Sequence, residues 1–132
     1  LFSGTGSISY EFISRGSRLV TAVELNPNHV KFITRQFEAL TAQDATVVKA
    51  DAFRYLSSCR RKFDIIFADP PYDIPNTIEI YDLVFKNNLL KEDSLLIIEH
   101  SDNLDFSSYP FFSELRKYGS VHFSFFSNES EK

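Results

Sequence analysis

Four consecutive residues, Asp69, Pro70, Pro71 and Tyr72, combine a carboxylate, two rigid rings and an aromatic face. They follow the apolar run 63–68, whose β-branched and aromatic residues predict a fully buried parallel strand that ends at the prolines. Ligands of open α/β sheets bind at the carboxyl ends of the strands. We therefore expect this strand to place Asp69 at a binding site.

This combination suits chemistry on the exocyclic amino group of a nucleobase, whose lone pair is delocalised into the ring. The Asp69 carboxylate and the Pro70 carbonyl offer two acceptors for the amine hydrogens, and proline has no competing N–H. Tyr72 offers a flat face on which an unstacked base can lie, and a base must leave its stack to reach such a site. We predict that Asp69, Pro70, Pro71 and Tyr72 are catalytic and prepare the amine to attack an electrophilic methyl group.

A glycine-rich stretch at the start of the sequence, residues 1–7, predicts a turn that leads into a helix over residues 7–15. Gly4 and Gly6 allow the backbone to approach a ligand closely, and the helix N-terminus presents unpaired N–H groups. Ser9 stands where a dinucleotide-binding fold has its third glycine, which argues against NAD.

Two acidic residues follow other predicted strands. Glu24 lies in the strand predicted over residues 19–25, and it follows Gly4 at about the 20-residue spacing at which an acidic side chain reaches a ribose. The alternatives for Glu24 are a helix N-cap or a solvent-facing carboxylate. Asp51 follows the strand predicted over residues 46–49, and it is also placed to cap a helix over residues 52–58. The two roles of Asp51 are compatible.

The strands alternate with helices, which predicts an α/β fold with a mostly parallel sheet. The remaining predicted elements are helices over 26–40 and 78–85, a buried strand over 95–99, and an antiparallel hairpin of 112–118 and 121–126. His100, which follows the strand over 95–99, is an alternative catalytic residue. Methyl transfer from a sulfonium needs no strong general base, so Asp69 is preferred.

The sequence Asp-Pro-Pro-Tyr resembles the [DNS]-P-P-[YF] signature of enzymes that methylate exocyclic amines with S-adenosylmethionine. Together with residues 1–7 and 116–126, it makes the chain similar to the bacterial 16S (small-subunit) ribosomal RNA guanine-N2 methyltransferase family. The resemblance implies a class I, Rossmann-like methyltransferase fold in one catalytic domain, residues 1–132. It also implies that the first strand and the segment before it are largely missing.

The resemblance further implies S-adenosylmethionine as the cofactor, with Asp51 on the adenine amine and Phe53 beside its ring. Ribosomal RNA, or an assembling small-subunit particle, is the implied partner. The cofactor-binding residues are then Phe2, Ser3, Gly4, Thr5, Gly6, Ser7, Glu24, Leu25, Asp51, Ala52, Phe53 and Asp69.

Composition limits the other possibilities. The chain has 132 residues, 43% of them hydrophobic, and 14 are phenylalanine, which suits one globular domain with a core. Cys59 is its single cysteine and its three histidines are dispersed, so we predict no disulfide and no metal site. Its apolar runs fall short of the ~20 residues that span a bilayer. We expect a cytoplasmic protein and leave its oligomeric state open.

The net charge of −4 is unusual for a protein that binds RNA. The tight basic run Arg60, Arg61 and Lys62 precedes the strand over 63–68 at its amino end, away from Asp69, so we predict a solvated loop. The chain begins at Leu1, without methionine, inside the glycine-rich turn. We therefore expect a preceding segment, and the resemblance implies that it bears basic residues.

Three alternative functions remain open. The same tetrapeptide suits an adenine-N6 amine or another amine of RNA or DNA, although Asp69 in place of asparagine favours guanine. An NAD-dependent oxidoreductase on a related fold is a second alternative, against which Ser9 and the tetrapeptide argue. The third is an RNA-binding module without catalysis.

Overall fold

The computed structural model describes residues 20–24, 26–39, 45–70 and 77–128. The chain divides into two compact units, Leu1–Tyr55 and Leu56–Lys132, and each is described by itself. The turn and helix predicted within residues 1–15 lie outside the described residues. The single domain over residues 1–132 stays a prediction.

The first unit contains two parallel strands, β1 (Val20–Glu24) and β2 (Ala45–Lys49), paired in register from Val20 with Ala45 to Glu24 with Lys49. Helix α1 (Pro27–Ala39) lies between them in the chain. Asn26 caps this helix, because its Oδ1 accepts the N–H groups of Asn28 at 2.9 Å and His29 at 3.4 Å. Proline suits the first helical position, where no N–H bond is lost. The predicted strands and helix are thus confirmed within one or two residues.

Helix α2 (Ala52–Ser58) follows β2 and has the predicted bounds. The second unit contains a sheet of four strands, which are β3 (Phe63–Ala68), β4 (Leu90–His100), β5 (Phe112–Tyr118) and β6 (Val121–Ser127). Their spatial order is β3-β4-β6-β5. Helix α3 (Thr77–Lys86) lies between β3 and β4 in the chain. The pair β3–β4 is parallel, whereas β6 is antiparallel to both β4 and β5. The predicted terminal hairpin is therefore confirmed.

Strand β4 begins at Leu90, five residues before the predicted strand over 95–99. The sequence did not predict this part of the strand, because residues 91–93 are polar and exposed and show no apolar alternation. Backbone bonds extend the ladder nevertheless: Asp93 N–H donates to the Asn128 carbonyl, and Asn128 N–H donates to the Ser94 carbonyl, both at 2.9 Å.

The prediction that residues 63–68 form a fully buried strand is wrong for its first half. Ile66 and Ala68 are buried, but Ile65 is 45% exposed and Asp64 is exposed. The exposed residues lie at the amino end of β3, where the register with β4 shifts between Phe63 and Ile65. Burial therefore increases toward the carboxyl end of β3, where Asp69 follows.

The core of the second unit is built around Phe126, which is completely buried. The rings of Tyr81, Phe106 and Phe85 lie 5.0, 5.3 and 6.4 Å from it. The Tyr81 hydroxyl donates a 2.6 Å hydrogen bond to the Pro110 carbonyl. Because Tyr81 belongs to α3 and Pro110 to the connection before β5, these contacts fix that connection and α3 to the same face of the sheet.

A polar group on this buried face comes from His100, at the end of β4, which is 3% exposed. Its Nδ1 lies 2.7 Å from the Ser101 carbonyl and its Nε2 lies 2.6 Å from the Ser124 hydroxyl. A carbonyl only accepts, so Nδ1 bears the proton and the Ser124 hydroxyl donates to Nε2. Protein groups thus engage both ring nitrogens of a neutral imidazole, which favours a structural role over the catalytic alternative.

Acid is expected to weaken the fold through His100. Burial is the main cause that lowers the pKa of His100 below its ordinary value. The unfolded chain therefore binds this proton more readily, so the stability from neutral His100 is complete above about pH 6.5 and is lost as the pH falls through the lower folded pKa. Chemical unfolding of wild type and His100→Gln between about pH 7 and pH 5 measures this effect.

We expect the free energy of unfolding to fall less steeply with acid in His100→Gln than in wild type. The control is Asn28→Gln, which changes an exposed residue of α1 that does not titrate and should keep the wild-type slope. Identical slopes in all three proteins would show that His100 does not become protonated with unfolding.

Candidate active site

The first two residues after β3 differ in their exposure to solvent. Asp69, the first residue after β3, has an exposed side chain, whereas Pro70 is completely buried. The buried ring fixes the backbone, because proline also restricts its own φ and the conformation of the preceding residue. The result is a carboxylate that faces outward from a rigid position at the carboxyl end of a parallel strand, as the sequence predicts.

Glu99 lies beside Asp69. The parallel register pairs Ala68 with Ile98, so the next residues along the two strands, Asp69 and Glu99, are also neighbours. Their side chains share a hydrogen bond. Asp69 is exposed, yet the surrounding protein removes part of the water around its carboxyl group. This partial desolvation, followed by the hydrogen bond and the charge of Glu99, raises the pKa of Asp69 to about 7. Below this pKa the two carboxyl groups hold a single proton between them, and above it both are ionised.

Sequence reasoning missed Glu99, which it treated only as the last residue of the strand over 95–99. A usable signal existed, since residues that end adjacent parallel strands meet at one edge of the sheet. The exact register of β3 and β4, which makes Asp69 and Glu99 direct neighbours, is not visible in the sequence.

In the first unit, Glu24 occupies the carboxyl end of β1. Its Oε2 accepts the Asn26 N–H at 2.8 Å and lies 3.9 Å from Nδ1 of His29. The side chain is only 12% exposed, so the solvent-facing alternative is wrong. The N-cap alternative is also wrong, because Asn26 caps α1. The protein therefore holds the Glu24 carboxylate in a defined orientation at the end of β1.

Asp51 caps α2, as predicted. Its Oδ1 accepts the N–H groups of Phe53 at 2.9 Å and Arg54 at 3.1 Å. The ends of the two parallel strands are adjacent, because Ala50 N–H donates a 3.1 Å hydrogen bond to the Glu24 carbonyl. Ala52 is buried and Phe53 is half-buried. Two oriented carboxylates at neighbouring strand ends fit a ligand with several hydroxyl and amine donors, such as a nucleoside.

The remaining predicted site residues lie outside the described part of the chain. They are Phe2, Ser3, Gly4, Thr5, Gly6, Ser7 and Leu25 of the predicted cofactor site, and Pro71 and Tyr72 of the tetrapeptide. Their roles stay predictions.

Other sequence features have simple structural counterparts. Arg60, Arg61 and Lys62 are exposed before the amino end of β3, as predicted. Within the described ranges, His, Cys, Asp and Glu form no group of three or more that is able to hold a metal ion. Among those same residues, the helices are too short or too polar to cross a bilayer.

Comparison with known proteins identifies the family. The sequence profile of the family described as Conserved hypothetical protein 95 matches residues 1–127. The chain belongs to this family. That result confirms the predicted relationship, because members of the same group include proteins named ribosomal RNA small subunit methyltransferase D.

Two kinds of relative support the family assignment and the fold. Ribosomal RNA small subunit methyltransferase D of Buchnera aphidicola subsp. Baizongia pistaciae is 28% identical over 131 residues, covering 96% of this chain and 67% of that protein. The chain spans about half the length of proteins of the same name from Haemophilus influenzae and Escherichia coli.

Solved structures share the fold. A proposed methylase from Haemophilus influenzae superposes with a TM-score of 0.86 at 24% identity, over 98% of this chain and 84% of the other. A proposed S-adenosylmethionine-dependent methyltransferase from Streptococcus mutans gives a TM-score of 0.76 at 19% identity, over 96% and 43%. The predicted methyltransferase-type α/β fold of this member of the family is thereby confirmed.

The cap formed by Asp51 leads to a stability prediction. Asp51→Ala leaves the first N–H groups of α2 without their acceptor, and losing such a cap costs about 0.5–2 kcal/mol. Asp51→Asn retains a capping oxygen and should remain within a few tenths of a kcal/mol of wild type. Urea unfolding of the three proteins measures the difference. Equal destabilisation by both substitutions would assign the effect to the charge of Asp51 rather than to the cap.

Proposed function

We propose that this chain is the catalytic region of an S-adenosylmethionine-dependent methyltransferase that modifies the exocyclic N2 amine of a guanine in small-subunit ribosomal RNA. The observation that supports this most is the exposed Asp69 carboxylate beside the buried Pro70, at the carboxyl end of a parallel strand. The relatives named ribosomal RNA small subunit methyltransferase D supply the class of substrate.

The proposed base leaves its stack and presents its amine to the end of β3. One amine hydrogen is donated to the Asp69 carboxylate and the other to the Pro70 carbonyl, while Tyr72 stacks on the ring. Two acceptors direct the nitrogen lone pair away from the ring and toward the methyl group. Fixed acceptors of this kind lower the barrier because they need no rearrangement during the reaction.

S-adenosylmethionine supplies the electrophilic methyl group when it is bound. Glu24 would accept hydrogen bonds from the ribose hydroxyls, and Asp51 would accept one from the adenine amine beside Phe53. Residues Phe2, Ser3, Gly4, Thr5, Gly6 and Ser7, with Leu25 and Ala52, would complete the proposed pocket through backbone and apolar contacts. The two carboxylates are already oriented by the protein, so binding would cost little side-chain entropy.

The substrate is proposed to be ribosomal RNA or a partly assembled small-subunit particle, in the cytoplasm. Ribosomal RNA presents guanines in single-stranded loops, where a base can be splayed out and stacked on an aromatic ring. Methylation of another amine of RNA or DNA, such as adenine N6, gives a different methylated nucleoside. Analysis of the methylated nucleoside therefore separates guanine N2 from adenine N6.

The activity test uses small-subunit particles and naked ribosomal RNA from cells that lack the protein. Purified protein and S-adenosylmethionine should yield N2-methylguanosine, identified by mass spectrometry after digestion. Asp69→Ala should reduce methyl transfer by about 10²-fold or more because an acceptor of the amine is lost. Cofactor binding should stay near normal, because the main proposed cofactor contacts, Glu24 and Asp51, remain. The control is Asp64→Ala, on the same strand, whose side chain is 78% exposed.

Undiminished turnover in Asp69→Ala would remove the proposed mechanism. N6-methyladenosine as the product would keep the mechanism and replace the substrate. Methylation of neither RNA preparation, with RNA binding intact, would favour the non-catalytic module.

Cofactor binding through Glu24 gives a separate expectation. Glu24→Ala should weaken binding of S-adenosylmethionine by about tenfold, because one hydrogen-bonded contact to a charged group contributes about 1.5–3 kcal/mol. Calorimetry measures the dissociation constant, with Glu38→Ala, at an exposed position of α1, as the control. An unaltered constant would exclude Glu24 from the cofactor site. Thermal stabilisation by NADH but not by S-adenosylhomocysteine would instead support the oxidoreductase alternative.

A further inference from the structure

Glu99 is the penultimate residue of β4 and is partly buried. Its neighbour across the parallel register is Asp69, since Ala68 pairs with Ile98 immediately before them. A hydrogen bond joins the two carboxyl groups while one of them bears a proton. This contact lies at the proposed methylation site, yet the roles given above to Asp69, Pro70 and Tyr72 make no use of Glu99.

We propose that Glu99 is a positioning residue for Asp69, and that the two carboxyl groups act as a pair that takes up the proton released by the amine during methylation. This inference rests on the proposed function. It extends that function by naming the groups that receive the proton. The two hydrogen-bond acceptors of the proposed function do not by themselves say where this proton goes.

The step balances in atoms and charge. Before the step both Asp69 and Glu99 are ionised. The nitrogen lone pair forms the N–C bond to the methyl carbon as the C–S bond breaks, and the electrons of the C–S bond go to sulfur. The nitrogen then bears a positive charge and loses one proton to the Asp69 carboxylate, regaining the N–H electron pair. The proton is held between Asp69 and Glu99, and it passes to water after the product leaves.

The neighbourhood of Asp69 explains why this proton would be held well. A carboxylate beside a second carboxylate gains a proton readily, because protonation relieves repulsion between like charges. Desolvation and Glu99 raise the pKa of Asp69 to about 7, compared with an ordinary value of 3.8. Asp69 is therefore a much stronger base than an isolated aspartate, and it titrates where a general base works best near neutral pH.

The other charged groups near Glu99 are engaged elsewhere. On β6, the residue paired with Glu99 is the apolar Phe123. On β5, Arg116 pairs with Phe123 in the register, but its guanidinium donates to Glu114 at 3.2 and 3.3 Å and lies over the Phe125 ring.

The titratable residues that follow Glu99 in the chain lie on the opposite face of the sheet, are exposed, or bond to other residues. His100 follows Glu99 on β4, so its side chain projects to the opposite face of the sheet, where it bonds to Ser124. In the connection after β4, Asp102 is exposed and Asp105 accepts the Ser107 N–H at 2.9 Å. Among the described residues, Asp69 is thus the titratable group that faces Glu99 directly.

The first measurement is a titration of the Asp69 carboxyl carbon by NMR, in wild type, Glu99→Gln and Glu92→Gln. The wild-type midpoint should lie at about 7. In Glu99→Gln it should fall by about one pH unit or more, because the neighbouring charge is gone and the amide donates to Asp69. Glu92→Gln, at an exposed position of the same strand, is the matched control and should keep the wild-type midpoint.

The second measurement is the pH profile of kcat/KM for methyl transfer, which reports the pKa of the essential base in the free enzyme. In wild type, kcat/KM should rise with pH and level off above about pH 7, following Asp69. Glu99→Gln should move this limb to lower pH and reduce the plateau, because Asp69 becomes a weaker base. A purely structural role of Glu99 would lower stability without moving the limb.

The two measurements separate failure of this inference from failure of the proposed function. An ordinary Asp69 midpoint in wild type, or the same midpoint in Glu99→Gln, overturns the carboxyl pair whatever the activity. A raised midpoint that depends on Glu99, in a protein that methylates no RNA at any pH, overturns the proposed function instead. If Glu99→Gln fails to fold, Glu99→Asp keeps the charge but shortens the side chain, and its Asp69 midpoint should lie between 3.8 and about 7.

Discussion

The pairing of β3 with β4 is the constraint on which the candidate site depends. Parallel strands in direct register end together, so the two residues that leave the ladder after Ala68 and Ile98 must be neighbours. A shift by one residue would turn each side chain to the other face of the sheet. Asp69 would then exchange places with a buried position, and its carboxylate would face the core instead of solvent. The register is maintained by the buried residues Ile66, Ala68, Leu96 and Ile98, which share one face.

The same physical cause acts in opposite directions on two groups at the end of the sheet. Asp69 and His100 lie on opposite faces, and both are taken partly out of water. Desolvation disfavours the charged form, so it raises the pKa of Asp69 and lowers the pKa of His100. The outcome is a neutral imidazole that packs beside Phe106 in the core, and a carboxyl group that exchanges a proton near neutral pH. Burial thus shapes both the structural imidazole and the proposed base.

Much of this arrangement follows from local sequence patterns. Asn26 and Pro27 mark the start of α1, Asp51 caps α2, and Gly119, with a positive φ of 63°, lies in the turn of the hairpin. Each of these features depends on a few adjacent residues, so the sequence alone predicts it. The position of Asp69 is equally local, because the apolar run before it ends at prolines.

Features that depend on pairing between strands far apart in the sequence were not predictable in the same way. The start of β4 at Leu90 is defined by backbone bonds to β3 and to Asn128, while its side chains at 91–93 are polar. Ile65 has the side chain of a core residue, but it is exposed at the amino end of β3, where the register with β4 shifts. On β6 the buried face includes His122 and Ser124, not Phe123 and Phe125, because Ser124 satisfies His100. Glu99 belongs to this class, since only the register gives it a partner.

The residues that position the nucleobase amine need not be the residues that bind the RNA backbone. Phosphate contacts supply most of the affinity for a nucleic acid and require many cations, whereas the chemistry proposed for Asp69 requires only a few fixed acceptors. In the described residues, Lys91 pairs with Asp64 and Arg116 with Glu114, and the basic run 60–62 precedes the amino end of β3. A net charge of −4 is therefore compatible with the proposed reaction, because strand ends that position an amine need not also neutralise the RNA backbone.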